Sequence, residues 1–232
     1  MVSRKGKPQA NEAKPGERTS VTPAPPDSLH VSTLTWTAGT SFHRIHREQY
    51  SAAHFNPGVY GNARFSPIQA TGGNPIPTLY GGETFECAAM ETVFHDVSWA
   101  PGYKSYDKGK LAGQIHSLIT PQRDLKLADL RSKALRKLGV RRDQLIDTEK
   151  DQYPATRRWA LAIHAHYPDV QGLCWTSRQD DSARAIMLFG DRVAENSLKQ
   201  AGKSRSLTTD DAAYDELLDL AEQIGINIVA GN

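Results

Sequence analysis

Val170-Gln171-Gly172-Leu173-Cys174-Trp175 and Ala185-Ile186-Met187-Leu188-Phe189 are two apolar runs of strand length, separated by the polar stretch Ser177-Arg178-Gln179-Asp180-Asp181. Short apolar runs bounded by turn residues read as neighbouring strands, so this pair is expected to be a hairpin within a sheet. Upstream of it, residues 154–167 place Trp159, Ala162, Ile163 and His166 on one side of a helix, with Pro154 acceptable in the first turn and Pro168 just past the end. Further back, Leu111, Gly113, Ile115, Ser117 and Ile119 alternate as a strand does, Leu125 and Leu127 mark another, and residues 132–138 suggest a short helix. Downstream, residues 211–224 are amphipathic through Leu217, Leu218, Leu220 and Ala221, and Gly225 is a stop signal before a last strand at residues 226–229. The mixture predicts an α+β fold without an internal repeat.

Toward the N-terminus, residues 84–97 carry Phe85, Ala89, Val93 and Val97 at four-residue spacing, with Thr84 available as N-cap, and read as a helix. Residues 56–82 are broken by Gly58, Gly61, Pro67, Gly72, Gly73, Pro75 and Pro77 and are expected to be loops and short strands, the kind of segment that often carries ligand contacts. Residues 1–36 are rich in Pro, Lys, Ser, Thr and Gly and lack an apolar period, which predicts a disordered basic, Pro-rich tail before a single folded domain at residues 37–232. The 232-residue chain has 38% hydrophobic and 23% charged residues and a net charge of +2, with basic residues scattered. That balance gives little footing for direct nucleic-acid binding and favours a small molecule or a protein as partner. Cys87 and Cys174 lie among apolar residues outside any metal-ligand spacing, so they are read as buried free thiols. No run approaches about 18 apolar residues, and the start lacks an apolar signal core, so a cytoplasmic protein is expected.

The common nucleotide and hydrolase signatures are absent from the sequence: there is no GxxxxGK[ST], no GxGxxG, no GxSxG and no HExxH. Gly72-Gly73 and Gly81-Gly82 are read as turns rather than phosphate cradles. His164 and His166 are two apart and point to different sides of a helix, so no metal site is expected. His43, His46 and His95 are read as structural histidines.

A different set of segments carries the functional signal: Phe42-His43-Arg44-Ile45, Gly61-Asn62-Ala63-Arg64-Phe65-Ser66, Thr78-Leu79-Tyr80, Ala88-Ala89-Met90-Glu91-Thr92-Val93 and Trp175-Thr176-Ser177. In order and spacing these resemble the RES domain family, named for an arginine, a glutamate and a serine, over roughly residues 40–192. The family's usual Gly-Gly-Arg-Trp-Asn segment stands here as Asn62-Ala63-Arg64-Phe65-Ser66, followed by a longer loop. The family serine falls on Ser177, with Ser182 close behind as the alternative.

The resemblance implies an ADP-ribosyltransferase-like α+β fold, a bent, mostly antiparallel sheet with flanking helices forming a cleft for NAD+ as substrate, without a metal. It implies cleavage of the bond between nicotinamide and ribose, by water or phosphate, in a toxin that depletes NAD+ and is blocked by an Xre-type antitoxin. Such a reaction passes through an oxocarbenium-like centre that a carboxylate can stabilise, which assigns Glu91. Arg44 and Arg64 would hold the diphosphate through paired charge-assisted hydrogen bonds. Tyr80 would pack against nicotinamide or a ribose, Ser177 would hydrogen-bond the nicotinamide ribose or amide, and Tyr60 would line the pocket. Two alternatives stay open: transfer of ADP-ribose to a protein, and a non-catalytic module binding a protein or nucleic acid. A homo-oligomer is also compatible with the sequence.

Overall fold

A computed structural model describes residues 21–194 and 196–231. Its first half contains β1 (Thr33–Trp36), β2 (Phe42–Arg47), β3 (Ile68–Gln69), β4 (Pro75–Ile76), β5 (Thr78–Gly82), α1 (Phe85–Met90), β6 (Lys104–Asp107), β7 (Gln114–Pro121) and β8 (Leu125–Asp129). There follow α2 (Ser132–Leu138), α3 (Arg142–Leu145), α4 (Tyr153–His166), β9 (Gly172–Thr176), β10 (Arg184–Phe189), β11 (Leu198–Ser206), α5 (Asp211–Gln223) and β12 (Ile226–Val229).

Eight strands form one curled sheet in the order β1-β8-β9-β10-β5-β2-β7-β11. Only the β8–β9 pair is parallel, and every other neighbour runs antiparallel. The expected hairpin forms, with Ala185 opposite Trp175 and Met187 opposite Leu173. Its strands read as continuous apolar runs because both faces are covered. Leu173, Trp175, Ala185, Met187 and Phe189 pack with Trp159, Ala160 and Ile163 of α4 on one side. Cys174, Ile186 and Leu188 pack with Trp36, Phe42 and Leu127 on the other. A third cluster joins α1 to α5 through Phe85, Ala88, Leu217 and Ala221.

Several expectations are corrected. The folded domain begins before residue 37: Leu29 and Val31 are buried, the Tyr167 hydroxyl donates to Leu29 O at 2.6 Å, the Trp159 indole donates to Pro23 O at 2.7 Å, and Thr33–Trp36 pairs with β8. Proline-rich composition hid these anchors, and residues 1–20 of the expected tail lie outside the described residues. The helix expected over residues 84–97 ends at Met90, because the amides of Thr92, Val93 and Phe94 all turn onto the Ala89 carbonyl. The expected N-cap is present, Thr84 Oγ1 accepting from Cys87 N at 3.0 Å. Gly81 and Gly82 are not a turn but the end of β5. A Cβ on Gly82 would sit 2.6 Å from Ala88 N, and one on Gly81 would sit 2.5 Å from Phe42 Cδ2, so their bare backbone lets α1 and β2 close over the strand. β6, the short α3 and the polar edge strand β11 had no legible pattern. Both cysteines are buried, and burial pushes the Cys174 thiol up to about 12, so neither is a reactive thiol at neutral pH.

Beneath α1, His43 Nδ1 and His116 Nε2 share a hydrogen bond of 3.0 Å and the rings stack. His46, Arg205, Glu216 and the edge of Phe85 surround the pair. Burial, then the neighbouring His43 and Arg205, lowers His116 to about 3. The unfolded chain therefore takes up a proton near pH 6.5 that the folded chain refuses until about pH 3. Stability from this group is complete above pH 6.5 and falls away as pH drops between those values.

Two outcomes are expected. Gly82→Ala lowers the urea midpoint by the equivalent of about 1–3 kcal/mol through overpacking against α1, and an unchanged midpoint would show that the helix can shift freely. In urea melts between pH 7 and 4, His116→Gln flattens an acid slope that one such proton sets at up to about 1.4 kcal/mol per pH unit; equal slopes would remove His116 from the acid response.

Candidate active site

The curl of the sheet leaves a cleft of about 390 Å³ between β2, β5, the loop before β3, and the N-terminal turn of α4. Arg44, Arg64, Tyr80 and Glu91, chosen from the sequence, all line it. Trp175 and Tyr153, not chosen, line it as well.

Arg64 is the most unusual of these side chains. It is 4% exposed, yet its Nε and Nη2 have no hydrogen-bond partner in the protein. Its guanidinium lies over the Tyr153 ring at 5.6 Å from the centroid. A buried guanidinium without an acceptor is costly, and an anion in the cleft would relieve that cost. The surrounding loop is fixed from both sides. Thr156 Oγ1 donates to Arg64 O, Arg157 Nε donates to Ala63 O at 3.2 Å, and Phe65 N donates to the Tyr80 hydroxyl at 3.3 Å. Phe65 is fully buried with its ring edge-on to Trp175 at 5.1 Å, which explains why an aromatic residue must follow the arginine. Ser66 also reaches the Tyr80 hydroxyl, whose burial pushes it up to about 12. Tyr80 is thus a neutral wall of the cleft and an anchor for the Arg64 loop.

Arg44 enters from β2. Its Nη1 donates to Ala52 O at 2.5 Å, and burial lowers it to about 10, so it stays charged at neutral pH. Glu91 caps the C-terminal end of α1, where the helix dipole disfavours a carboxylate. What holds it is Ser177, whose Oγ donates to Glu91 Oε1 at 2.6 Å while accepting from the amides of Gln179 and Asp180, each at 3.0 Å. With two N–H groups donating to it, the hydroxyl has its single proton directed at the carboxylate. Arg142 clamps the same corner, donating to Thr176 O and Ser177 O at 3.1 and 2.9 Å.

Three sequence expectations change here. Ser177 is fully buried behind Glu91 and positions that carboxylate instead of facing the cleft. Ser182, the alternative, bonds Asp180 on the surface. Tyr60 is 88% exposed and lies outside the cleft lining, because the glycine-rich loop carries it away from the fixed Arg64 segment. His95, read as structural, lines the cleft four residues beyond Glu91, with Nδ1 at 2.7 Å from Asp96 Oδ1 and Nε2 at 3.3 Å from the Tyr153 hydroxyl. The Trp175 indole N–H is buried at the cleft without a partner. In the sequence Thr156 stands in the first turn of the expected helix and Tyr153 just before it, positions that do not reveal what that turn touches. Among the described residues no cluster of three or more His, Cys, Asp and Glu could hold a metal, and no helix is long and apolar enough to cross a membrane.

Replacing Ser177 by Ala should cost about 1–3 kcal/mol of folding stability, because the half-buried Gln179 and Asp180 amides lose their acceptor and Glu91 loses its donor. Chemical denaturation measures this, and a variant as stable as the parent would mean that water or Glu91 takes over those amides.

Comparison with curated proteins returns no match. The RES domain family model matches residues 41–210, a span that includes Arg44, Arg64, Tyr80, Glu91 and Ser177. With the match covering well over half of its length, the chain belongs to the RES domain family.

Proposed function

We propose that this protein cleaves the bond between nicotinamide and ribose in NAD+, acting as an NAD+-depleting toxin. The RES domain family is associated with NAD-acting enzymes. The observation that carries the reading is the buried Arg64 guanidinium, two of whose nitrogens have no protein acceptor, set in a cleft that also holds Arg44 and Glu91. With Lys150 and Asp96 of the lining paired to each other, Arg44 and Arg64 against Glu91 leave the cleft suited to an anionic ligand, and a diphosphate satisfies fork-shaped donors with paired oxygens.

In this reading Arg44 and Arg64 grip the diphosphate and so fix the attached ribose. Glu91 lies on another wall of the cleft, held through one oxygen by Ser177, which leaves the second oxygen for the ribose. As the bond to nicotinamide lengthens, positive charge develops on the ribose carbon and ring oxygen, and a fixed carboxylate stabilises it without first having to reorganise. Neutral nicotinamide leaves with the bonding electron pair, so no general acid is needed. The Trp175 indole N–H supplies a further donor for a carbonyl or hydroxyl of the ligand. Water, phosphate or a protein side chain could then attack the same carbon. Water or phosphate as the acceptor gives NAD+ depletion, and a protein acceptor gives ADP-ribosylation. An Xre-type antitoxin covering the cleft is part of the same proposal.

Purified protein incubated with NAD+, with and without phosphate, is expected to release nicotinamide. Glu91→Gln should lower kcat by about 100-fold or more, as loss of a fixed electrostatic stabiliser does, whereas Arg64→Ala should act mainly on KM. A phosphate requirement names the acceptor. No nicotinamide release under either condition would overturn NAD+ depletion and leave transfer to a protein target to be tested by labelling with NAD+.

A further inference from the structure

Beyond the cleft, the chain from His95 to Trp99 turns along the protein surface and borders a second groove of about 500 Å³. The two recesses share His95, Asp96, Lys150 and Tyr153 as walls, so the groove continues the cleft past the Tyr153 ring on which Arg64 rests. Trp99 does not line the first cleft; it stands between the second groove and a neighbouring surface recess and is 71% exposed, an indole with most of its apolar surface in water. Opposite it, Gln179 donates through Nε2 to His95 O at 3.3 Å, which fixes its amide and leaves its Oε1 as an acceptor. The cations of this groove are already neutralised, Lys150 by Asp96 at 2.7 Å and Arg178 by Glu149. An exposed aromatic face, a fixed amide acceptor and paired charges suit a flat, neutral, hydrogen-bonding ring rather than a further phosphate.

The reading of the cleft given above, on which this inference rests, places a diphosphate at Arg64, and a dinucleotide continues from there into a second nucleoside. We infer that the groove seats the adenine end of the substrate, with Trp99 stacking on the base and Gln179 accepting from its exocyclic amine. Trp99 is then a specificity residue: it distinguishes a dinucleotide from the mononucleotide that carries the same scissile bond, while leaving the chemistry at Glu91 unchanged.

The test compares nicotinamide release from NAD+ and from nicotinamide mononucleotide by the full chain, its Trp99→Ala variant and its Trp99→Phe variant. Trp99→Ala is expected to raise KM for NAD+ about tenfold, the loss of one base stack, with kcat for NAD+ and kcat/KM for the mononucleotide unchanged, and Trp99→Phe to restore most of the loss. Unaltered NAD+ kinetics in Trp99→Ala, or an equal fall for both substrates, overturns the inference while the reading of the cleft stands. A parent chain that consumes neither substrate overturns that reading instead.

Discussion

Burial of both faces of the central strands is the constraint from which the rest follows. β9, β10 and β5 are sandwiched between two apolar clusters, so polar chemistry is confined to strand ends and to the cleft where the sheet curls. Ser177 stands one residue beyond the end of β9, Tyr80 at the middle of β5 where the strand faces the cleft, and Glu91 at the C-cap of the helix that Gly82 admits. The dry interior beneath them makes each surviving hydrogen bond count, because an unpaired group there has no water to turn to. Ser177 meets that demand completely, and Arg64 does not. The contrast separates a residue that holds the site from one that awaits a ligand.

Much of this was legible in the sequence, for physical reasons that differ between elements. The β9–β10 hairpin, α2, α4, α5 and β12 announce themselves by apolar period and stop signals, since their packing depends on one continuous face or run. Arg44, Arg64, Tyr80 and Glu91 were found through the order of motifs, and all four meet in one cleft. Their separations in the chain are long, so composition and spacing alone would not have joined them.

What the sequence hid is equally physical. Residues 21–36 hold the domain through Leu29, Val31 and Trp36 in the core, the β1–β8 ladder and two backbone carbonyls bonded by Trp159 and Tyr167, contacts too scattered to leave a hydrophobic period. α1 stops early because three amides turn onto the Ala89 carbonyl, a matter of backbone geometry rather than residue type. Tyr153 serves the site only because α4 arrives under the Arg64 loop. The role of Ser177 depended on which way its hydroxyl points, and the amides of Gln179 and Asp180 decide that direction.

The polar edge strand β11, which no pattern announced, has a consequence for how copies of this chain behave in solution. An exposed strand edge offers unpaired amides and carbonyls to any neighbouring sheet. Here the pairing with β7 shifts between Ala201 and Arg205, and Lys199 and Lys203 are exposed along the same strand. A kinked edge lined with charge is a poor template for another strand, so intermolecular sheet growth is discouraged where the eight-stranded sheet is most open to it.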